Sequence, residues 1–337
     1  MKVYEVQAGA TTLDGLRRTE RPDPQPGPRE ILIRVRAASL NYRDHLVLAG
    51  QYFGGPLDRN IIPLSDGAGE VSAIGTGVTR FHPGDRVAGT FFQGWISGPM
   101  TRRHPALGVP LDGMLAEYRV LHEDGVVAIP PNLSFEEAAC LPCAGVTAWN
   151  ALMVAGRPVK PGDIVLCLGT GGVSMFGLQF AKAAGARVIV TSSSDAKIQR
   201  ACSLGASGGV NYKEFPDWHK EVLRITSGHG ADHIIDNGGP GSLTRSFEAT
   251  AFSGKVALIG FLAGREGDIN PLVLMMKGGS MVGIGVGSRN MFEDMNRAIE
   301  VDGIQPVIDR VFPFERALEA FRLQTSGDFV GKLVITL

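Results

Sequence analysis

The residues best able to act together on a ligand lie between Gly162 and Lys197. Gly169-Thr170-Gly171-Gly172-Val173-Ser174 forms a glycine-rich turn of the pattern G-x-G-x-x-S. Glycines there let the backbone turn tightly and approach a pyrophosphate, and a helix starting behind them presents free N–H groups and partial positive charge. Ser174 stands where a third glycine is usual; it is small enough for close helix–strand packing and offers a hydroxyl near a phosphate. An acidic residue about 20 positions after the first glycine would accept from a ribose 2′-OH. Here that region reads Thr191-Ser192-Ser193-Ser194, with Asp195 and Lys197 following. Hydroxyls with an ammonium suit a 2′-phosphate, so NADP(H) is the expected cofactor and NAD(H) the second choice. Asp195 could instead pair with Lys197 or cap the helix. A second candidate set is Cys140-x-x-Cys143, a spacing found in thiol redox pairs. Pro142 and the helix signals around it place the pair between domains, which argues against a thiol redox role.

The elements that would position these groups alternate. Ile164 to Leu168 is an apolar run suited to a strand buried on both faces. A helix is predicted from Val173 to Ala184 and a strand from Arg187 to Val190, which completes one dinucleotide-binding unit. The alternation continues with helices at 196–205, 218–226 and 241–249, and strands at 209–212, 231–236, 255–261 and 280–286. About six parallel strands with crossover helices make a doubly wound sheet. Residues 1 to about 125 read instead as a small, partly open β-barrel, with strands at 31–37, 69–74, 86–89 and 116–121 separated by Gly, Pro and Asp turns. Ser134-x-x-Glu137 is a capping box that opens a helix. Residues 91–112 have no clear period and suggest either a lid or pocket wall or a plain surface excursion.

The 337 residues suggest two domains, and 44% hydrophobic with 20% charged content describes a globular chain with ample core. A net charge of −1 gives no footprint for nucleic acid or a membrane surface. No apolar run approaches a membrane span, and the start of the chain shows no signal-peptide pattern. Four cysteines make no disulfide framework in a chain of this length, so a reducing cytoplasm is the expected location.

Taken in order, the chain resembles the medium-chain dehydrogenase/reductase superfamily. The resemblance rests on Ala37-Ala-Ser-Leu-Asn-Tyr-Arg-Asp44, Pro63-Leu-Ser-Asp-Gly-Ala-Gly-Glu-Val71, Gly84-Asp-Arg-Val87, Glu136 to Trp149, the Gly169 turn, and Gly331-Lys-Leu-Val-Ile335. It looks most like the zinc-independent, quinone oxidoreductase-like branch. The resemblance implies a GroES-like β-barrel domain over 1–130, completed by 290–337, and a Rossmann domain over 131–289. It places Asn41, Ser65, Asp66 and Cys143 where zinc alcohol dehydrogenases carry Cys, His, Glu and Cys. An amide, a hydroxyl and one thiol are a poor set for zinc, so no metal is expected; a site rebuilt from Cys143, Asp66 and His45 is the counter-reading. Asn41, at the lost ligand, and Tyr52, at the cleft rim, are the catalytic candidates. Asp44 and Asp66 are expected to bond loop amides. Cofactor contacts are assigned to Thr147, Gly169, Thr170, Gly171, Gly172, Val173, Ser192, Ser193, Ser194, Lys197, Tyr212, Phe261, Ser288 and Arg289, with Arg289 otherwise a plain helix-start arginine.

The expected reaction is hydride transfer to quinones or α,β-unsaturated carbonyls. The alternatives are a zinc-free alcohol dehydrogenase or aldehyde reductase, and a dinucleotide-binding sensor or structural protein with little turnover. A homodimer paired through 280–286 is also implied.

Overall fold

The computed structural model describes residues 1–337, and the chain divides into two compact units. Thr147–Val286 forms one; Met1–Val146 together with Gly287–Leu337 forms the other. The result is an α/β, two-domain fold.

The Thr147–Val286 unit is built on a six-stranded sheet. Its strand order is 208–211, 187–192, 164–168, 231–236, 250–258 and 280–283, with every pairing parallel. Ile164–Leu168 sits inside the sheet and is buried throughout, as its apolar composition predicts. Helices 172–183, 195–203, 218–225 and 240–249 connect the strands. Leu166, Ile189, Val222, Ile234, Leu243, Phe247 and Val256 pack into one core. Burying each such side chain contributes about 1.5–3 kcal/mol.

Two strands differ from their sequence reading. The strand expected at 255–261 runs Thr250–Leu258, which leaves Phe261 in the following turn. The strand expected at 280–286 is only Ser280–Gly283. Pairing stops there, although the Ile284 N–H still donates to Leu258 O at 2.9 Å.

The other unit carries a seven-member antiparallel-rich sheet. Glu30–Ser39 is its central strand, pairing with Asp66–Ile74, Tyr118–His122 and the last strand, Lys332–Thr336. Lys332–Thr336 pairs in parallel with Ile308–Pro313, so the end of the chain closes the β unit. Ile31, Ile33, Leu64, Val71, Val87, Leu107 and Phe321 share its core.

The Ser134 box forms as read: the Glu137 N–H donates to Ser134 Oγ at 3.2 Å, and the Ser134 N–H to Glu137 Oε2 at 2.7 Å. The helix behind it is shorter than expected, Phe135–Ala138, and gives way to wide turns over Leu141–Gly145. Pro142 supplies a cause, since it lacks the N–H that would continue the α pattern.

Residues 91–112 contain no long helix or strand, yet Phe91, Trp95, Ala106 and Leu107 are buried. The two ends of the segment are therefore anchored in the interior, and residues 97–103, with Met100, form an exposed excursion between them. No helix is long and apolar enough to cross a membrane.

Candidate active site

Two polar constellations stand out, one in each unit. In the Thr147–Val286 unit the glycine turn joins Ile164–Leu168 to the helix Gly172–Ala183. Gly169 has φ +82°, a conformation that favours glycine, and its N–H donates to Thr191 Oγ1 at 3.3 Å. Gly171 is the N-cap of the helix and no side chain caps it. A Cβ added at Gly169 or at Gly171 would meet nothing within 4 Å. Open space over an uncapped helix start is the cradle a pyrophosphate needs. These residues fit a dinucleotide.

Thr170 is buried, while Gly172 and Val173 are half-buried at the helix start. Ser174 does not face the phosphate side. Fully buried, its hydroxyl donates to Leu168 O at 2.8 Å and accepts from Asn237 Nδ2 at 3.0 Å. It ties the turn to the sheet, and the extra phosphate hydroxyl expected from it is absent.

Ser192 ends its strand and is buried; Ser193 and Ser194 are half-buried, and Ser194 is the N-cap of the next helix. The Tyr212 N–H donates to Ser192 O at 3.0 Å, so the backbone of Tyr212 lies beside the serine cluster, and its ring is exposed. Lys197 lies in the first turns of that helix, half-buried. Asp195 accepts from Asn211 Nδ2 at 2.9 Å. Thr147 is buried. Phe261, half-buried, carries the Arg265 guanidinium 4.8 Å from its ring centre.

Ser288 and Arg289 belong to the other unit. Ser288 Oγ accepts the Met291 N–H at 3.3 Å, an ordinary helix cap. Arg289 is paired with Asp124, Nη1 to Oδ1 2.8 Å. That pair is the contact of a helix-start arginine and leaves less of the guanidinium to offer a phosphate.

The second constellation surrounds Asn41. Its N–H donates to Asp44 Oδ2 at 2.7 Å, and its carbonyl accepts from Gln324 Nε2 at 2.7 Å. Its side-chain oxygen accepts from Lys332 Nζ at 2.6 Å, and its Nδ2 lies 3.5 Å from Ser65 Oγ. Ser65 in turn donates to Asp66 Oδ1 at 2.6 Å. Asp66 Oδ2 accepts the Cys143 N–H at 3.1 Å and lies 3.8 Å from Lys332 Nζ. Asp44 and Asp66 thus bond backbone amides, as expected. Burial raises the Asp44 carboxyl to about 6; burial also raises Asp66, against the pull of Lys332.

Tyr52 accepts from Arg43 Nε at 3.2 Å. Arg43 is buried, its guanidinium within 4.8 Å of the Tyr52 ring centre and 4.7 Å of the Phe91 ring centre, and it also donates to Leu107 O and Val109 O. His45 Nδ1 lies 3.3 Å from Thr325 Oγ1 on the helix surface.

These donors match a tetrahedral zinc poorly. The Asn41 oxygen already serves an ammonium, and that ammonium sits beside the carboxylate. No group of three or more His, Cys, Asp or Glu gathers anywhere in the chain. Cys140 is buried, its thiol raised to about 12 by that burial, and donates to Glu136 O.

Lys332, Arg43 and Gln324 were not singled out from sequence. The available signal was a lone lysine opening the apolar run Lys332-Leu-Val-Ile335, where a buried charge demands partners.

Known proteins share the sequence pattern and the fold of this chain. The alcohol dehydrogenase GroES-like domain family matches residues 27–131, and the zinc-binding dehydrogenase family residues 172–300. A zinc-type alcohol dehydrogenase-like protein of Schizosaccharomyces pombe is 43% identical across 99% of both chains. The chain belongs to the medium-chain dehydrogenase/reductase superfamily. A quinone oxidoreductase of Pseudomonas aeruginosa is 32% identical over 75% of this chain and 72% of its own. The crystal structure of an NAD-dependent alcohol dehydrogenase superposes with a TM-score of 0.91 at 36% identity, covering 100% of both chains. This medium-chain dehydrogenase/reductase is therefore an oxidoreductase of a family that depends on nicotinamide dinucleotides.

Proposed function

We propose that the protein is a zinc-independent, NADP(H)-dependent reductase of quinones or α,β-unsaturated carbonyls. The observation that carries the reading is the Asn41 set: an amide whose oxygen is held by Lys332, where a metal-using relative would have a ligand. When bound, the dinucleotide supplies the hydride. The chain must then orient the acceptor and stabilise the oxygen that gains charge. The Asn41 Nδ2 group donates to that oxygen. Conjugated acceptors suit so modest a donor, because hydride addition at their far carbon leaves a delocalised anion. Tyr52, held by Arg43, is the second candidate for a polar contact to the acceptor, and solvent completes protonation.

Ser192, Ser193, Ser194 and Lys197 support NADP(H), since they offer hydroxyls and an ammonium at the position of the usual acid. Thr147, Val173, Tyr212 and Phe261 complete the proposed cofactor contacts. The second reading, a zinc-free alcohol dehydrogenase or aldehyde reductase using NAD(H), is favoured by the likeness to the 36% identical NAD-dependent alcohol dehydrogenase.

A homodimer fits the exposed Phe252, Leu272, Met275, Met276 and Met281, the last on the edge strand Ser280–Gly283. The four cysteines are free, as a cytoplasmic protein's would be.

The test is consumption of NADPH and NADH with a panel of quinones, enones and aldehydes. Turnover of quinone or enone with NADPH supports the reading. Turnover of aldehydes alone supports the second. Tight NADPH binding with no turnover of any acceptor would leave a sensor.

A further inference from the structure

Lys332 is almost fully buried, at 3% exposure, and its charge needs an explanation. Its ammonium donates to Leu40 O and to Asn41 Oδ1, each at 2.6 Å, and faces Asp66 Oδ2 at 3.8 Å. An ammonium can only donate and an ionised carboxylate can only accept. Between these two ends lie Asn41 and Ser65, which could each be oriented either way. The fixed ends remove the choice. The Asn41 oxygen must face Lys332, so its amine faces Ser65 Oγ; the Ser65 hydrogen must go to Asp66. The Asn41–Ser65 contact is long, 3.5 Å, whereas the other links are 2.6 Å. The amine also faces the Asp66 carboxylate, whose charge it stabilises, so one of its two hydrogens serves the circuit and the other is left for a ligand. Asp44 and Gln324 hold the Asn41 backbone, so the orientation of the amide itself depends on Lys332 and Ser65.

We propose that Lys332 is a positioning residue for Asn41: it fixes the amide with the oxygen inward and presents the NH2 group as a permanent donor to the substrate oxygen. The ammonium also polarises the amide, which strengthens the N–H as a donor. The inference rests on the reading of Asn41 as that donor.

A double-mutant cycle on the full-length protein tests it, with NADPH and an enone. Lys332→Met and Asn41→Ala are each expected to lower kcat on the order of 10²-fold. KM should stay within about threefold for both, the mark of an interaction made in the transition state. Combined, the two should cost no more than either alone, because Lys332 acts through Asn41. Lys332→Arg, which keeps the charge and the donors, should recover most of the loss.

An independent readout needs no substrate. With 15N-asparagine labelling, the Asn41 side-chain NH2 pair is identified by its absence in Asn41→Ala. It should shift in Lys332→Met toward the position of a solvent-exposed amide and return in Lys332→Arg. Asn41→Asp covers the case in which Lys332→Met fails to fold. Its carboxylate can still accept from Lys332 but has no N–H, so it should fold, bind NADPH and lose kcat as Asn41→Ala does.

Losses that multiply, an NH2 pair unmoved in Lys332→Met, or wild-type kcat in Asn41→Asp would each overturn the proposal. If the wild-type enzyme reduces none of the acceptors, the proposed reaction fails, while the NH2 spectra still decide whether Lys332 holds Asn41.

Discussion

The two polar constellations are built from different materials. The glycine turn at 169–172 is backbone: a positive-φ glycine, an uncapped helix start and open space where a side chain would stand. The Asn41 circuit is side chain throughout. Lys332, Asn41, Ser65 and Asp66 satisfy one another in a largely buried setting, and each fixes the next. A backbone cradle recognises a group common to all dinucleotides, and local sequence is enough to make it. A side-chain circuit sets one donor in one direction, and it needs residues from distant parts of the chain. On the proposed function, the general partner is bound by backbone geometry and the particular reaction is set by side-chain charge.

Four substitutions break or sharpen this contrast. Asn41→Ala should have the largest effect, with kcat falling on the order of 10²-fold in steady-state assays. NADPH affinity by fluorescence titration should be unchanged, because the cradle is untouched; a lost affinity would mean that the two constellations do not divide the work.

Gly171→Ser should do the converse. Its backbone is ordinary, with φ −75°, and the new hydroxyl can cap the helix. The melting temperature should hold or rise while NADPH affinity falls at least about tenfold, since the serine takes N–H donors from the pyrophosphate. Unchanged affinity would remove the cradle argument.

Lys197→Met should lower NADPH affinity by roughly tenfold and leave NADH alone, as loss of one charged contact to a 2′-phosphate implies. Equal losses for both cofactors would transfer the lysine to a structural role.

His233→Gln should be the mildest at neutral pH. His233 is buried against Asp163, and burial, helped by Lys255, lowers its pKa to about 4. The unfolded chain binds the proton near 6.5, the folded chain only near 4. Stability from this group is therefore complete above 6.5 and falls with pH down to about 4. Melting curves should show wild type losing about 2–4 °C between neutral pH and pH 5 that the variant keeps. Parallel curves would contradict it.

Much of the fold could be read locally. Ile164–Leu168, Arg86–Gly89 and Ala231–Asp236 have the bounds their apolar patterns predict, because strands buried in a sheet write their burial into composition. The Ser134 cap was equally local. The strand ends at Leu258 and Gly283 were not, since pairing depends on the neighbour's length. The same limit governs the site. Gly169 and Gly171 announce themselves through type and spacing alone. Lys332 reaches Asn41 across 291 positions, and nothing near either residue signals the other. Arg43 meets Leu107 across 64 positions in a segment with no period. Ser174 had the right spacing and the wrong direction: its hydroxyl points back at Leu168, which only the helix's docking on the strand decides.

The central claim is that an amide held by an ammonium does the work a metal does in zinc-using relatives. The most direct test is turnover of NADPH and an enone by enzyme of known metal content, before and after treatment with a strong zinc chelator. The account predicts far less than one zinc per chain and the same kcat in both states. One zinc per chain, with activity lost on chelation and restored by zinc, would contradict it.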